Sequence, residues 1–408
     1  MAGPPRNFRV LVVGYSCSAY GNYLNLVALS LFTLAVTGGP LGVGIVMALR
    51  LGAGFGTGLV AGWLVNRFDR RRLMIGTDLA QATAMVALAA GPANVGLLVA
   101  AAVVLGAGNA LFNVALRSSV PAMVGQDQRV GANGQLVTGR SIGTVLGFAS
   151  AGVIVASGGF AAAFYLNAAS FVVSAMALVV LRLPTRADDD STGTATGTAP
   201  GRPERTLLAL AGPVVVLMIA VRGADAFGSA SHNMALPLYA SRLDGAEPAV
   251  VMSQFWASWA VGTLLAHQVL RRWRHGEALG ERAFGLGTCL MSVGFVLAFA
   301  VPAGPALIAV ALLAGLADGW TEIVYTSRLQ AAPDKQRGRL FGMSATAETA
   351  GFAVGMLSSS AVLEAAPEVT VVAIFHGVAF LAATALLAVA FALRRATAPA
   401  GSVEKDVD

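Results

Sequence analysis

Long apolar runs, each cut short by a brief polar or basic segment, recur along the whole chain. Windows of spanning length fall at 9–35, 41–64, 73–91, 95–116, 133–157, 160–182, 207–237, 248–270, 282–301, 305–328, 340–362 and 369–393. Each is close to the roughly 20 apolar residues that an α-helix needs to cross a bilayer core of about 30 Å. The pattern predicts an all-α membrane protein with about 12 transmembrane helices. Met1–Arg9 leads into an apolar stretch too long for a signal peptide and without a convincing cleavage site, so the first helix is expected to be retained.

The polar breaks give the threading. Between the second and third windows stands Asn66-Arg67-Phe68-Asp69-Arg70-Arg71-Arg72, shortly after Gly62. So cationic a hairpin belongs on the cytoplasmic side. That choice puts both termini inside, with 117–132, 183–206, 271–281 and 329–339. Arg129, Arg182, Arg186, Arg202, Arg205, Arg271, Arg272, Arg274, Arg282, Lys335, Arg337, Arg339, Arg394 and Arg395 then fall inside, and Arg242 alone falls in an outer loop. The split is too lopsided for a random threading.

Pro184–Asp190 and the Ser/Thr/Gly-rich residues up to Arg205 are too polar and too plain to pack. The expected domains are an N-terminal six-helix bundle (1–183), a cytoplasmic linker (184–206), a C-terminal six-helix bundle (207–396) and a cytoplasmic tail (397–408). The halves echo each other. Arg140-Ser141-Ile142-Gly143-Thr144-Val145-Leu146-Gly147 in the fifth window matches Glu348-Thr349-Ala350-Gly351-Phe352-Ala353-Val354-Gly355 in the eleventh. Two pseudo-symmetric six-helix bundles with a site between them at the midplane are the architecture of a rocking carrier.

Composition narrows the class. Mean hydropathy is +0.72, and 12% of residues are charged, against about a quarter in a soluble domain. The outer surface must therefore face a lipid bilayer. The net charge of +6 does not imply nucleic acid, because the basic residues sit in short clusters between apolar runs. Cys17 and Cys289 lie in apolar runs of different halves, and His232, His267, His275 and His376 show no ligand spacing, so neither a disulfide frame nor a metal site is expected. No phosphate-binding Walker sequence and no serine–histidine–acid pattern is found. Neither ATP-driven work by this chain alone nor an enzyme is expected, and no cofactor is implied.

Gly62 to Arg72 resembles the loop 2–3 signature of the major facilitator superfamily, in which glycine, an acidic residue and basic residues recur at fixed spacing. Arg117–Val124 with Arg129–Asn133 is similar to the helix 4–5 connection of its drug-exporter branch, and Leu329–Pro333 with Arg337–Arg339 to the matching 10–11 connection. The similarity runs from about residue 10 to 395 and is greatest to the group of the enterobactin exporter and macrolide efflux proteins. It implies the major facilitator fold. The signature's acidic position is Asn66 here, while Asp69 stands where many members have glycine. In the family that carboxylate helps latch the two halves on the cytoplasmic side, so the latch is expected to be weaker here or to use Asp69 or Asp78. Gly139, Gly143, Gly147 and Gly152 resemble the antiporter-type glycine pattern, with Phe148 replacing the usual proline; close helix packing explains the same glycines.

A charge in the middle of a spanning helix costs about 2.5–3.5 kcal/mol on insertion scales, so each one needs a reason. The resemblance implies a central cavity lined by the first, fourth, seventh and tenth helices. Each carries a polar stripe at helical spacing: Tyr15, Ser18, Asn22 and Asn25; Asn109, Asn113 and Arg117; Arg222, Asp225, Ser229 and His232; Asp318, Glu322 and Tyr325. These groups must face protein or water, either as a substrate path or as hydrogen bonds that hold the bundle. Trp256, Trp259 and Trp320 either stack on a substrate or pack helices. Asp318 and Glu322 lie one turn apart on one face. In low dielectric, paired carboxyls can hold a proton near neutral pH, which suits proton carriage. Pairing with Arg222 would instead make them structural, and Arg222 and Asp225 are themselves spaced to pair. Arg140 and Glu348, at matching repeat positions, and Arg50, deeper in the second helix, are expected as gating ion-pair groups.

The expected function is proton-coupled efflux of a small amphipathic compound (an antibiotic, siderophore or metabolite) across a bacterial inner membrane by alternating access. A nutrient importer of the same fold and a transport-silent membrane sensor or scaffold are the alternatives. The lack of a sizeable soluble segment counts against the last.

Overall fold

The computed structural model describes residues 6–125, 128–180, 207–272, 280–332 and 334–397. They form eleven helices and, among the described residues, no strand: α1 (Arg6–Thr37), α2 (Pro40–Arg67), α3 (Arg70–Ala90), α4 (Val95–Val124), α5 (Arg129–Val180), α6 (Leu207–Leu243), α7 (Pro248–Arg272), α8 (Glu281–Ala298), α9 (Pro305–Gln330), α10 (Asp334–Leu363) and α11 (Glu368–Thr397). Ten are long and apolar enough to cross a membrane. The exception is α10, diluted by Ser344, Thr346, Glu348, Thr349 and Ser358 to Ser360.

α5 accounts for the difference from about 12 passes. Its 52 residues break at Gly159, where φ is 69° and ψ is −175°, a conformation that side chains resist and glycine allows. A straight helix of that length would run about 78 Å, more than twice a bilayer core. The break lies between the fifth and sixth apolar windows, so two passes are joined by one glycine rather than by a loop.

The repeat seen in sequence is a repeat in packing. Gly143 and Gly147 of α5 lie on the α1 backbone at Ser16, Tyr20 and Leu24, while Gly351 and Gly355 of α10 lie on the α6 backbone at Gly223 and Phe227. A Cβ at any of these positions would collide with a main-chain atom of the facing helix. Close approach through small residues substitutes for the hydrophobic drive that lipid cannot supply. By such contacts α1 to α5 form one bundle and α6 to α11 the other. Leu59, Val153, Leu290, Leu313 and Leu381 are exposed on the outside, a surface suited to lipid and not to water.

The cationic hairpin works within the first bundle. Asp69 caps α3 by accepting from the Arg72 amide at 2.8 Å. Arg70 Nη1 donates to the Ser118 carbonyl at 2.7 Å, and Arg71 Nε donates to that of Leu178 at 2.7 Å. These guanidinium groups thus bind main-chain carbonyls of α4 and α5. Arg67 lies over the Trp63 ring, while Gly62 and Asn66 are exposed. Asp78 is buried in α3 facing Ser174. With the basic end open, the Asp69 cap and the Asp78–Ser174 contact both lie inside the first half. The expected linker, 184–206, lies outside the described residues.

Candidate functional site

Two adjoining cavities of about 450 and 440 Å³ lie between the bundles, a third of about 290 Å³ lies within the first bundle, and Leu26 borders all three. They form one crevice. Its closed end is far from Arg70 to Arg72. There the Leu41 amide donates to Glu364 Oε1 at 3.0 Å, the Gly152 amide donates to Ser253 Oγ at 2.6 Å, and Gly44 packs beneath Ser360. Just inside, Phe148 stacks on Trp256 with ring centroids 5.4 Å apart. The phenylalanine that replaces the family's proline is therefore a contact between the halves. Toward the basic end the walls part, and Glu322 keeps 49% of its side chain exposed.

The first-half wall carries Tyr15, Ser18, Asn22, Arg50, Asp78, Asn109, Asn113 and Arg140. Arg140 is held by Tyr23, whose hydroxyl accepts from Nη2 at 2.9 Å. The second-half wall carries Arg222, Asp225, Ser229, His232, Trp256, Trp259, Asp318 and Glu348. Three of the positions expected on the walls are packed inside the bundles in this conformation. Asn25 is fully buried. Tyr325 is buried and donates to Ser344 Oγ at 2.7 Å. Trp320 packs on α8 at Gly287.

The most concentrated chemistry surrounds Arg222. Its Nη1 contacts Asp225 Oδ2 at 3.2 Å, its Nη2 bonds to Glu322 Oε2, and its Nε lies 3.6 Å from Glu348 Oε1. Glu348 also accepts from Ser344 at 2.6 Å. Asp318, one turn from Glu322, accepts from the Trp259 indole at 2.9 Å. So α6, α9 and α10 bring three carboxylates to one guanidinium, with a fourth beside them. The expected Arg222–Asp225 pair is present, but as part of this larger set. Arg140 and Glu348 do not meet in this conformation; each binds within its own half.

Sequence reasoning missed the partners that lie far apart along the chain: Tyr23 for Arg140, Glu364 for the α2 start, and His376, which bonds to His232. Their spacing carries no signal. Only the repeat, which sets α10 on α6 as it sets α5 on α1, could have placed Glu348 beside Arg222.

Among solved structures, that of the peptide-transporter-family protein PepTSo superposes with a TM-score of 0.73 at 14% identity, covering 97% of this chain and 99% of that one. The nucleoside transporter NupG gives 0.69 at 15% identity, covering 94% and 99%. A bacterial homologue of the human lysosomal transporter Spinster, in an inward-facing unoccupied conformation, gives 0.69 at 13%, covering 95% and 99%. These likenesses show the fold. No curated protein matches the sequence. Residues 11–321 match the Major Facilitator Superfamily, and with the two-bundle fold around a central crevice this makes the chain a membrane transporter belonging to that superfamily.

Proposed function

We propose that this protein is a proton-coupled exporter of a small amphipathic compound, an antibiotic, siderophore or metabolite, working by alternating access in a bacterial inner membrane with its basic end in the cytoplasm. The observation that carries the reading is the contact of Arg222 with Asp225, Glu322 and Glu348 on the wall of a crevice open at one end. One guanidinium cannot neutralise three carboxylates. Two like charges about 4 Å apart repel by about 4 kcal/mol at an effective dielectric of 20, and a proton on one of them removes that repulsion. Glu322 is the exposed member and takes the proton from the open end. Protonated Glu322 holds Arg222 less firmly, so loading the cluster changes what the α6 wall offers to a substrate. Asp318 and Asp225 are the remaining proton-carrying candidates. Tyr15, Ser18, Asn22, Asn109 and Asn113 supply polar contacts on the facing wall, and the apolar Met47, Met234, Met252 and Phe352 supply the rest of an amphipathic site.

The test uses everted membrane vesicles energised by respiration and a panel of amphipathic antibiotics and siderophores. An exported compound should release stored protons, read as recovery of acridine fluorescence, in wild type and not in Glu322→Gln at equal abundance. Wild-type proton release by Glu322→Gln would reject the carrier role. Uptake of a nutrient by the same geometry would show instead as proton-driven accumulation in right-side-out vesicles.

A further inference from the structure

Two imidazoles are buried together on the crevice side of the second bundle, and nothing in the carboxylate mechanism above uses them. His232 of α6 and His376 of α11 are 3% and 0% exposed. His232 Nδ1 and His376 Nε2 are 3.0 Å apart, within hydrogen-bond distance. Phe295 of α8 stacks on His232 at 4.0 Å and on His376 at 5.1 Å. Apolar rings would fill this space without the cost of burying polar nitrogens.

The pair has two outer nitrogens with different surroundings. Nδ1 of His376 is buried without a hydrogen-bond partner and faces α6 at Gly228. One turn back along α6, Asp225 has the same condition: its Oδ2 meets Arg222, and its Oδ1 is buried without a partner. The two orphaned groups belong to the same stretch of the bundle, since Gly228, which His376 faces, stands three residues after Asp225, an axial step of about 4.5 Å on α6. The other end of the pair is the Nε2 of His232, a residue of the crevice wall.

We propose that His232 and His376 form a proton relay between the crevice at His232 and the buried Oδ1 of Asp225, on the side of that carboxylate away from Arg222; the proposal rests on the proton-coupled reading above. A neutral imidazole has one protonated nitrogen and one accepting nitrogen, so a single proton lies between Nε2 of His376 and Nδ1 of His232. When a proton arrives at His376 Nδ1, the shared proton crosses to His232 Nδ1, and the proton on His232 Nε2 leaves for the crevice. One proton enters and one leaves, no charge stays behind, and the reverse order carries protons the other way.

The groups around the pair fit this role. Asp225 stands two turns before His232 on α6, about 10 Å along the axis, and one turn before the Gly228 that His376 faces. α7 and α8 face the rings with Phe255, Trp256 and Phe295, all uncharged. Asp318 of α9 and Glu348 of α10 share the crevice wall, and the Cys289 thiol of α8 meets Phe380 and Thr384, one and two turns further along α11. The carboxylates are thus the source or sink, and the imidazoles are the connection.

The test is nitrogen NMR of the full chain, labelled at histidine and held in lipid nanodiscs, with His232→Gln and His376→Gln for assignment. The relay predicts two exchanging tautomers of the pair, with their ratio shifted roughly threefold or more in Asp225→Asn, through loss of a nearby charge, and shifted in the same sense in Glu322→Gln. A single fixed tautomer, the same in all three proteins, overturns it. The infrared carbonyl stretch of protonated carboxyls in the same samples reports on the parent reading separately. Its absence at every pH would reject proton carriage by the carboxylates even with both tautomers present.

Discussion

The closed end of the crevice includes close helix contacts, and at Gly152 an added atom would meet the facing main chain. A Cβ there would stand 2.7 Å from Val250 Cα, 2.9 Å from Ser253 Oγ and 3.0 Å from the Ala249 carbonyl oxygen. Ordinary carbon contacts lie at about 3.5–4.0 Å, and two of these three atoms are main chain of α7, so α5 and α7 must separate. Overpacking of this kind costs about 1–3 kcal/mol. Loss of the 2.6 Å bond from the Gly152 amide to Ser253 adds to it. Only the conformer closed at this end carries the cost. Gly152→Leu should therefore shift the population toward the conformer open at this end by about 5- to 150-fold, and Gly152→Ala by less. The reporter is Ser30→Cys on the crevice wall, in a background with Cys17→Ser and Cys289→Ser. A membrane-impermeant maleimide, added on the side away from Arg70 to Arg72, should label it faster by that factor. Equal labelling rates at equal abundance would refute the reasoning.

Three further outcomes follow from the packing. Arg71→Ala loses its bonds to the Leu178 and Val179 carbonyls and should lower unfolding stability in detergent by about 2 kcal/mol; Arg71→Lys should recover part of this, read by thermal unfolding. Arg222→Gln leaves Asp225, Glu322 and Glu348 without a counter-charge, a loss of about 3–5 kcal/mol for a broken buried pair. Size-exclusion yield should fall and should return in part when Asp225→Asn is added. Gly143→Leu and Gly351→Leu should abolish folded protein by forcing α1 off α5 and α6 off α10, whereas Gly52→Leu, with open space around it, should leave expression unchanged.

Helix positions were legible because burial in lipid demands an unbroken apolar run, a one-dimensional property. The turn at Gly159 was legible only as two abutting windows, since nothing in composition marks a single left-handed residue. The Arg222–Asp225 pair follows from spacing on one helix. Glu322, foreseen as a proton carrier or as a partner of Arg222, is bonded to Arg222 in this structure. The repeat aligns Glu348 with Arg140, which with Arg50 suits gating groups, yet it equally sets α10 against α6, and in this conformation Arg222 of the same bundle is the partner of Glu348. Arg70 and Arg71, legible as a topological signal, also bind main-chain carbonyls of α4 and α5, a role set by the fold and not by neighbours in sequence. The imidazole pair, 144 positions apart, depends on how α6 meets α11 and leaves no local trace.

The central proposal is that protonation of the Arg222 cluster is coupled to alternating access, so that it biases which end of the crevice is open. Thr138 and Thr346, exposed and at equivalent positions of the repeat near the basic end, suit spin labels that report the separation of the halves. Wild type should show two separations whose ratio changes between acidic and alkaline pH, and Glu322→Gln should hold one ratio throughout. A pH-independent ratio in wild type, or an unchanged pH response in Glu322→Gln, would contradict the account.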